Sequence, residues 1–126
     1  MESIKPGDIY LADIRLAGEQ DSFHWEITFV MVVSHDDFNL SSPPIVVRII
    51  EDQGQATQIQ TRLGYAVELE VNKTKSFALC NQIRSVDLED LRREGKCTLI
   101  AAAPTEIVED VIQKIISFLV LGPPQT

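Results

Sequence analysis

Both histidines and the sole tryptophan of the chain fall in one stretch, SFHWEITFVMVVSHDDF, residues 22–38. Imidazole titrates close to neutral pH, so His24 and His35 are the side chains best suited to general acid–base work. On either side of an apolar run they can form a catalytic pair, or they can mark the two ends of a core strand. No spacing motif chooses between these readings. The chain has no Gly-rich phosphate loop, no HExxH helix and no nucleophile elbow. Cys80 and Cys97 stand in no CxxC spacing and have no histidine nearby. They read as reduced packing thiols, and a zinc site lacks ligands.

The elements that must carry any site are mostly strands, followed by helices. GDIYLADI (7–14) is rich in β-formers and follows Pro6-Gly7, a natural strand entry. WEITFVMVV (25–33) begins with alternation and ends in continuous apolar residues, as a strand covered on both faces does. DDFNLSSPP (36–44) has loop composition, IVVRII (45–50) reads as a short buried strand, and EDQGQATQIQTRLG (51–64) as a polar, aperiodic loop. YAVELEV (65–71) sets Tyr65, Val67, Leu69 and Val71 on one face, with Glu68 and Glu70 on the other. NKTK then turns the chain into SFALC (76–80), a hairpin. Asp87 is placed to cap a short helix, LEDLRRE, stopped by Gly95. A last helix, about 104–121, starts at Pro104, and its apolar pairs recur every four residues: Ile107/Val108, Val111/Ile112, Ile115/Ile116 and Leu119/Val120. So wide an apolar arc points to burial on the sheet plus a partner surface. The expectation is one α+β domain over 1–126, a strongly bent antiparallel sheet with late helices.

Charge narrows the partners. Residues 1–52 carry ten acids against Lys5, Arg15 and Arg48, a balance of −7, whereas 53–126 carry nine acids against eight bases. Polyanion binding draws on several lysines and arginines per site, so the whole chain is a poor non-specific nucleic-acid binder. A local basic patch is possible where Arg62, Lys73, Lys75 and Arg84 outnumber Glu68 and Glu70. The start, MESIKPGD, shows no basic region followed by an apolar stretch, and IISFLVL is far shorter than the ~20 residues of a membrane span. The expected location is cytoplasmic, with no membrane.

KPGDIYLADI followed by AGEQ, a strand, a DFN-type loop and a second apolar strand resembles the opening of the MazF/PemK family of toxins. LCNQIRSVDLEDL resembles that family's strand-loop-helix, and PTEIVEDVI its C-terminal helix. The resemblance implies an SH3-like barrel with added helices, a homodimer, and a place in type II toxin–antitoxin systems opposite an antitoxin protein. It implies endoribonuclease activity on single-stranded RNA without a metal or other cofactor.

Metal-free RNA cleavage needs a base for the ribose 2′-oxygen, an acid for the leaving 5′-oxygen, and a cation for the phosphorane charge. The family arginine, usually followed by proline, aligns with Thr28 and Phe29 of this chain, and the Gly-rich loop beside it is replaced by DSFHWEI. The family's threonine or serine after the third strand aligns with Glu51, and a further arginine and aspartate with Leu79 and Asn81. Substitutes are at hand: His24 with Glu26 or Glu51 as acid and base, and Arg48 or Arg15 for charge. Against this, Arg48 in VVRII can point out of the sheet into a surface ion pair. Glu51 can merely open a loop, His24 can stack beside Trp25, and His35 can cap the next turn. Gln82 and Arg84 match the family pattern best, and with Asn81 and Trp25 they are the candidate RNA contacts, although a polar strand-to-helix turn also needs such groups. Two functions follow: a ribonuclease with a rearranged site, or a MazF-fold module that binds protein, or RNA weakly, without cutting.

Overall fold

The computed structural model describes residues 3–14 and 27–120. Its six strands are β1 (Asp8–Asp13), β2 (Ile27–Val32), β3 (Ile45–Glu51), β4 (Ala66–Val71), β5 (Thr74–Ser85) and β6 (Cys97–Ala102). They form one antiparallel sheet in the order β4-β5-β3-β2-β1-β6, curled into a half-barrel. Four helices accompany it among the described residues: α1 (Asp36–Ser41), α2 (Gln55–Arg62), α3 (Leu88–Arg93) and α4 (Thr105–Leu119). The class is the expected α+β, SH3-like type.

Alternation along β2 and β3 builds two cores. Met31, Val47 and Ile49 face α4 and pack with Ile9, Val67, Leu69, Val108 and Val111. Val30, Val32 and Val46 face the other way, toward Tyr10, Val86 and Leu88 under α3. Val30, Met31 and Val32 are all fully buried, so β2 is covered on both faces, as its continuous apolar run indicates. A third, smaller cluster of Ala66, Phe77 and Leu79, with Ile50 against it, lies where β3, β4 and β5 meet.

Two segments depart from the sequence reading, and a third, CTLIAA, is one to which it assigned no element. Residues 51–64 are not an aperiodic loop but hold α2, whose N-terminal turn is stapled by Asp52. The supposed loop 36–44 holds α1, capped by His35, whose Nδ1 accepts from the Asp37 amide at 3.1 Å. CTLIAA forms the edge strand β6 beside β1. The strand read as 76–80 runs on to Ser85 as β5, while the helix starts and the hairpin turn are as expected. Asp87 caps α3 by accepting from the Asp90 amide, and Pro104 is the N-cap of α4. The β4–β5 hairpin turns through Asn72 and Lys73, both at positive φ, as a two-residue loop of its hand requires. Cys80 and Cys97 are buried in different clusters, as packing thiols should be.

Gly7 fixes the entry to β1. Its φ is +92°, its N–H donates to Val32 O at 2.8 Å, and its carbonyl accepts from the Ala103 amide at 2.8 Å. A Cβ there would stand 3.0 Å from Ala103 O and 3.2 Å from Val108 Cγ2. The expected strand-entry glycine is thus also the point where β1, β2 and the start of α4 meet.

Candidate functional site

Arg48 breaks the apolar run of β3 on the face shared with Val46 and Ile50. Val46 belongs to the cluster under α3 and Ile50 packs on the cluster at β4–β5, so the guanidinium stem falls in the gap between two apolar patches. Its neighbours across the sheet are Val30 on β2 and Leu79 on β5. The register then slips: Val47 pairs with Ile83 but Arg48 with Leu79, so Cys80, Asn81 and Gln82 bulge out of β5 beside Arg48.

The slip brings Gln82 to Arg48. Arg48 Nη1 donates to Gln82 Oε1 at 3.5 Å, and Arg48 Nε donates to the Thr28 hydroxyl at 3.4 Å. Both contacts are long, and a guanidinium has five N–H donors to place. Among the described residues no carboxylate pairs with Arg48. The surface ion pair expected from local alternation is absent there, because the curl of the sheet turns the outward direction into a half-buried cleft. A charge held this way is stabilised further by any anion that reaches it.

The cleft has a volume of about 340 Å³ and lies between the sheet and α2, lined by Arg48, Ile50, Gln53, Thr57, Leu79 and Gln82 among others. α2 covers this spot because of its staple. Asp52 Oδ1 accepts from the Thr57 hydroxyl at 2.7 Å and from the Gly54 amide at 2.9 Å, and the Thr57 side chain is buried. These two hydrogen bonds, with Lys75 3.6 Å away, hold the Asp52 carboxyl below the usual carboxylate range. Asp52 is therefore an anchor for the lid of the cleft and not a free acid beside Arg48.

The predicted site residues fall into three groups. Thr28, Arg48 and Gln82 are brought together. Glu51 is exposed at the end of β3 and, three residues beyond Arg48, projects to the opposite face of the strand. Asn81 is exposed on the bulge, and Arg84 lies farther along β5, lining a second cavity of about 250 Å³ with Asp87, Asp90 and Glu94. His24, Trp25, Glu26 and Arg15 lie outside the described residues. The imagined basic patch does not assemble: Lys73 sits at the β4–β5 turn, Lys75 pairs with Asp52 and Glu68, and Arg84 is at the other end of β5. Sequence reasoning missed Gln53, Thr57 and Gln60. The signal available was the Asp52-x-Gly54 turn with Thr57 three residues on, a helix start hidden in polar sequence.

No group of three or more histidines, cysteines or acids among the described residues is arranged to hold a metal ion. No described helix is long and apolar enough to cross a membrane. On α4, Val108 and Val111 are buried while Ile116 and Leu119 stay exposed, so part of the apolar arc faces outward.

Comparison with known proteins bears on this arrangement. The model of the family described as PemK-like, MazF-like toxin of type II toxin–antitoxin systems matches residues 5–119. No curated protein sequence matches. Among solved structures, MazF (Form-I) from Deinococcus radiodurans superposes with a TM-score of 0.69 at 16% identity, covering 94% of this chain and 98% of that one. The MazE–MazF complex (Form-II) from the same organism gives 0.66 at 16% identity, covering 97% and 100%. At that identity the likeness is one of fold.

Proposed function

The chain belongs to the MazF/PemK toxin family of type II toxin–antitoxin systems, and from that membership we propose that it is a metal-independent endoribonuclease of single-stranded RNA whose cation is Arg48. The observation that carries this reading is Arg48, lining a cleft and held by the buried Thr28, with no carboxylate on the guanidinium among the described residues. The resemblance puts an arginine at the position of Thr28 and a threonine or serine at the position of Glu51. Here a threonine stands on β2 and an arginine on β3, so the same two residue types meet from exchanged strands.

In this reading Arg48 holds the scissile phosphate and stabilises the charge that grows on it as the 2′-oxygen attacks. Thr28 and Gln82 orient the guanidinium. The proton must leave the 2′-oxygen and another must reach the 5′-oxygen. His24 and Glu26 are assigned to those steps, because His24 is only four residues from Thr28 along the chain, a reach of about 14 Å at most. Glu51 is the less favoured acid, since alternation sends it to the other face. The outward apolar residues of α4 suit a homodimer, and the fold shared with the MazF of MazE–MazF complexes suits an antitoxin partner.

The test is incubation of the purified protein with long single-stranded RNA in EDTA, with the ends mapped. Discrete cuts that vanish in Arg48→Ala and in His24→Ala support the assignment. The non-cleaving module is the second reading, favoured by the lack of any described acid–base group beside Arg48. Intact RNA at high protein concentration, with RNA still bound through Arg48, selects it.

A further inference from the structure

The cleft beside Arg48 holds more than a phosphate site needs. Its apolar walls are Ile50, Ala56 and Leu79, and three glutamines, Gln53, Gln60 and Gln82, edge it. Its volume of about 340 Å³ is within the range of small-molecule sites, which combine apolar walls with a few placed polar groups. Thr57 is engaged with Asp52 and Gly54, Gln53 donates through Nε2 to the Glu51 carbonyl and Gln82 accepts through Oε1 from Arg48, so these two carboxamides each keep their other half to offer a ligand. Gln60 is the most telling, because its Oε1 is buried and has no hydrogen-bond partner. A buried acceptor left unpaired is rare and unfavourable, so an N–H donor that reaches it from the cleft is favoured.

We propose that this cleft is a subsite for one unpaired nucleobase, read by the carboxamides of Gln60, Gln53 and Gln82 while the adjoining phosphate rests on Arg48. The inference rests on the RNA reading above and adds the residues that set base preference. Carboxamides present a donor and an acceptor side by side, the pattern that complements a base edge. Watson–Crick edges are open to such contacts only where bases are unpaired, which ties the subsite to single strands. The division of labour is physical: Arg48 contributes affinity that ignores sequence, and uncharged amides contribute discrimination. The amide lining adds no negative charge beside Arg48 within an acidic protein, so a base enters without added repulsion of its phosphate.

The test uses the full chain and fluorescein-labelled seven-nucleotide RNAs of A, C or U, with binding followed by anisotropy at fixed salt. Wild type is expected to separate the best from the poorest oligomer by about tenfold, the discrimination one well-read base provides. Gln60→Leu keeps the side-chain bulk and removes the orphan acceptor, and is expected to compress that spread to about twofold. Ala56→Phe, which fills the cleft from α2, should compress it as well, whereas Arg48→Ala should weaken all three oligomers alike. An unchanged spread in both Gln60→Leu and Ala56→Phe overturns the subsite and leaves the RNA reading standing. Wild-type protein that binds none of the three overturns both.

Discussion

Arg48 Nε lies 3.4 Å from the hydroxyl of Thr28, a contact between adjacent strands that neither residue's sequence neighbours reveal. β3 pairs with β2 so that Arg48 sits opposite Val30, and Thr28 is the next residue on that face toward the start of β2. The pair holds one cation at the cleft against a buried hydroxyl behind it, between two patches of packed apolar side chains.

Removing the cation should abolish function without unfolding the protein. Arg48→Met keeps an apolar stem on the same face, so thermal unfolding should be unchanged or slightly raised. RNA cleavage should fall on the order of 10²–10³-fold, the usual loss when a transition-state charge contact goes. Thr28→Val, which keeps the β-branched shape, should cost far less, about tenfold or below, because it only orients Arg48. A Thr28→Val loss as large as that of Arg48→Met would make the hydroxyl a reacting group and not a positioning one.

The staple of α2 makes the cleft acid-sensitive. The Asp52 carboxyl titrates below its usual range because Thr57, Gly54 and Lys75 favour its charged form. A depressed value means the fold is favoured above the unfolded-state pKa of Asp, about 3.9, and that this contribution fades as pH falls through the lower folded value. Amide hydrogen exchange over 55–62 should therefore quicken in acid before the core strands do. Asp52→Asn should quicken it already at pH 7 and remove the extra acid dependence.

Gly7→Ala should be among the more damaging single-methyl changes in the chain. The residue sits at φ +92°, and the added carbon meets a backbone oxygen at 3.0 Å, so the neighbour cannot swing away. The left-handed conformation alone costs roughly 1–2 kcal/mol for an L-residue, and the crowding adds to it. Urea denaturation should show a lowered midpoint with an unchanged slope. Gly95→Ala, also at positive φ but with open space around it, should cost only the conformational share.

Tyr10 gives the fold an alkaline limit. Burial, with Asp8 nearby, pushes its phenol up to about 12. The folded state thus keeps a proton that the unfolded chain releases near pH 10, so stability is intact below pH 10 and declines as pH rises from there toward 12. Tyr10→Phe should flatten that decline in thermal unfolding between pH 10 and 12. A wild-type slope retained in Tyr10→Phe would assign the alkaline limit to another group.

Much of this was legible because the signals were local. The β4 alternation of Val67, Leu69 and Val71 against Glu68 and Glu70 reads directly as one buried and one exposed face, and the structure has it so. Asp87, Pro104 and His35 act as helix starts or caps as their chemistry dictates. α2 was hidden because only Thr57 is buried in it, leaving no apolar period to detect. The edge strand β6 was hidden for a related reason: only Cys97 is buried in it and half of its side chains are exposed, so CTLIAA shows no clean alternation.

Sequence by itself determined the first five strands in outline, the late helices and Thr28, Arg48 and Gln82 as site candidates, because each depends on propensity, spacing or motif within a few residues. It could not determine that Arg48 has a cleft before it. That outcome depends on the curl of a six-stranded sheet and on the slip that pairs Val47 with Ile83 and Arg48 with Leu79. It also depends on a helix stapled across the opening by Asp52 and Thr57. Local alternation sends Arg48 outward, and only long-range pairing decides whether outward means open water or a half-buried pocket shared with Gln82 and Leu79.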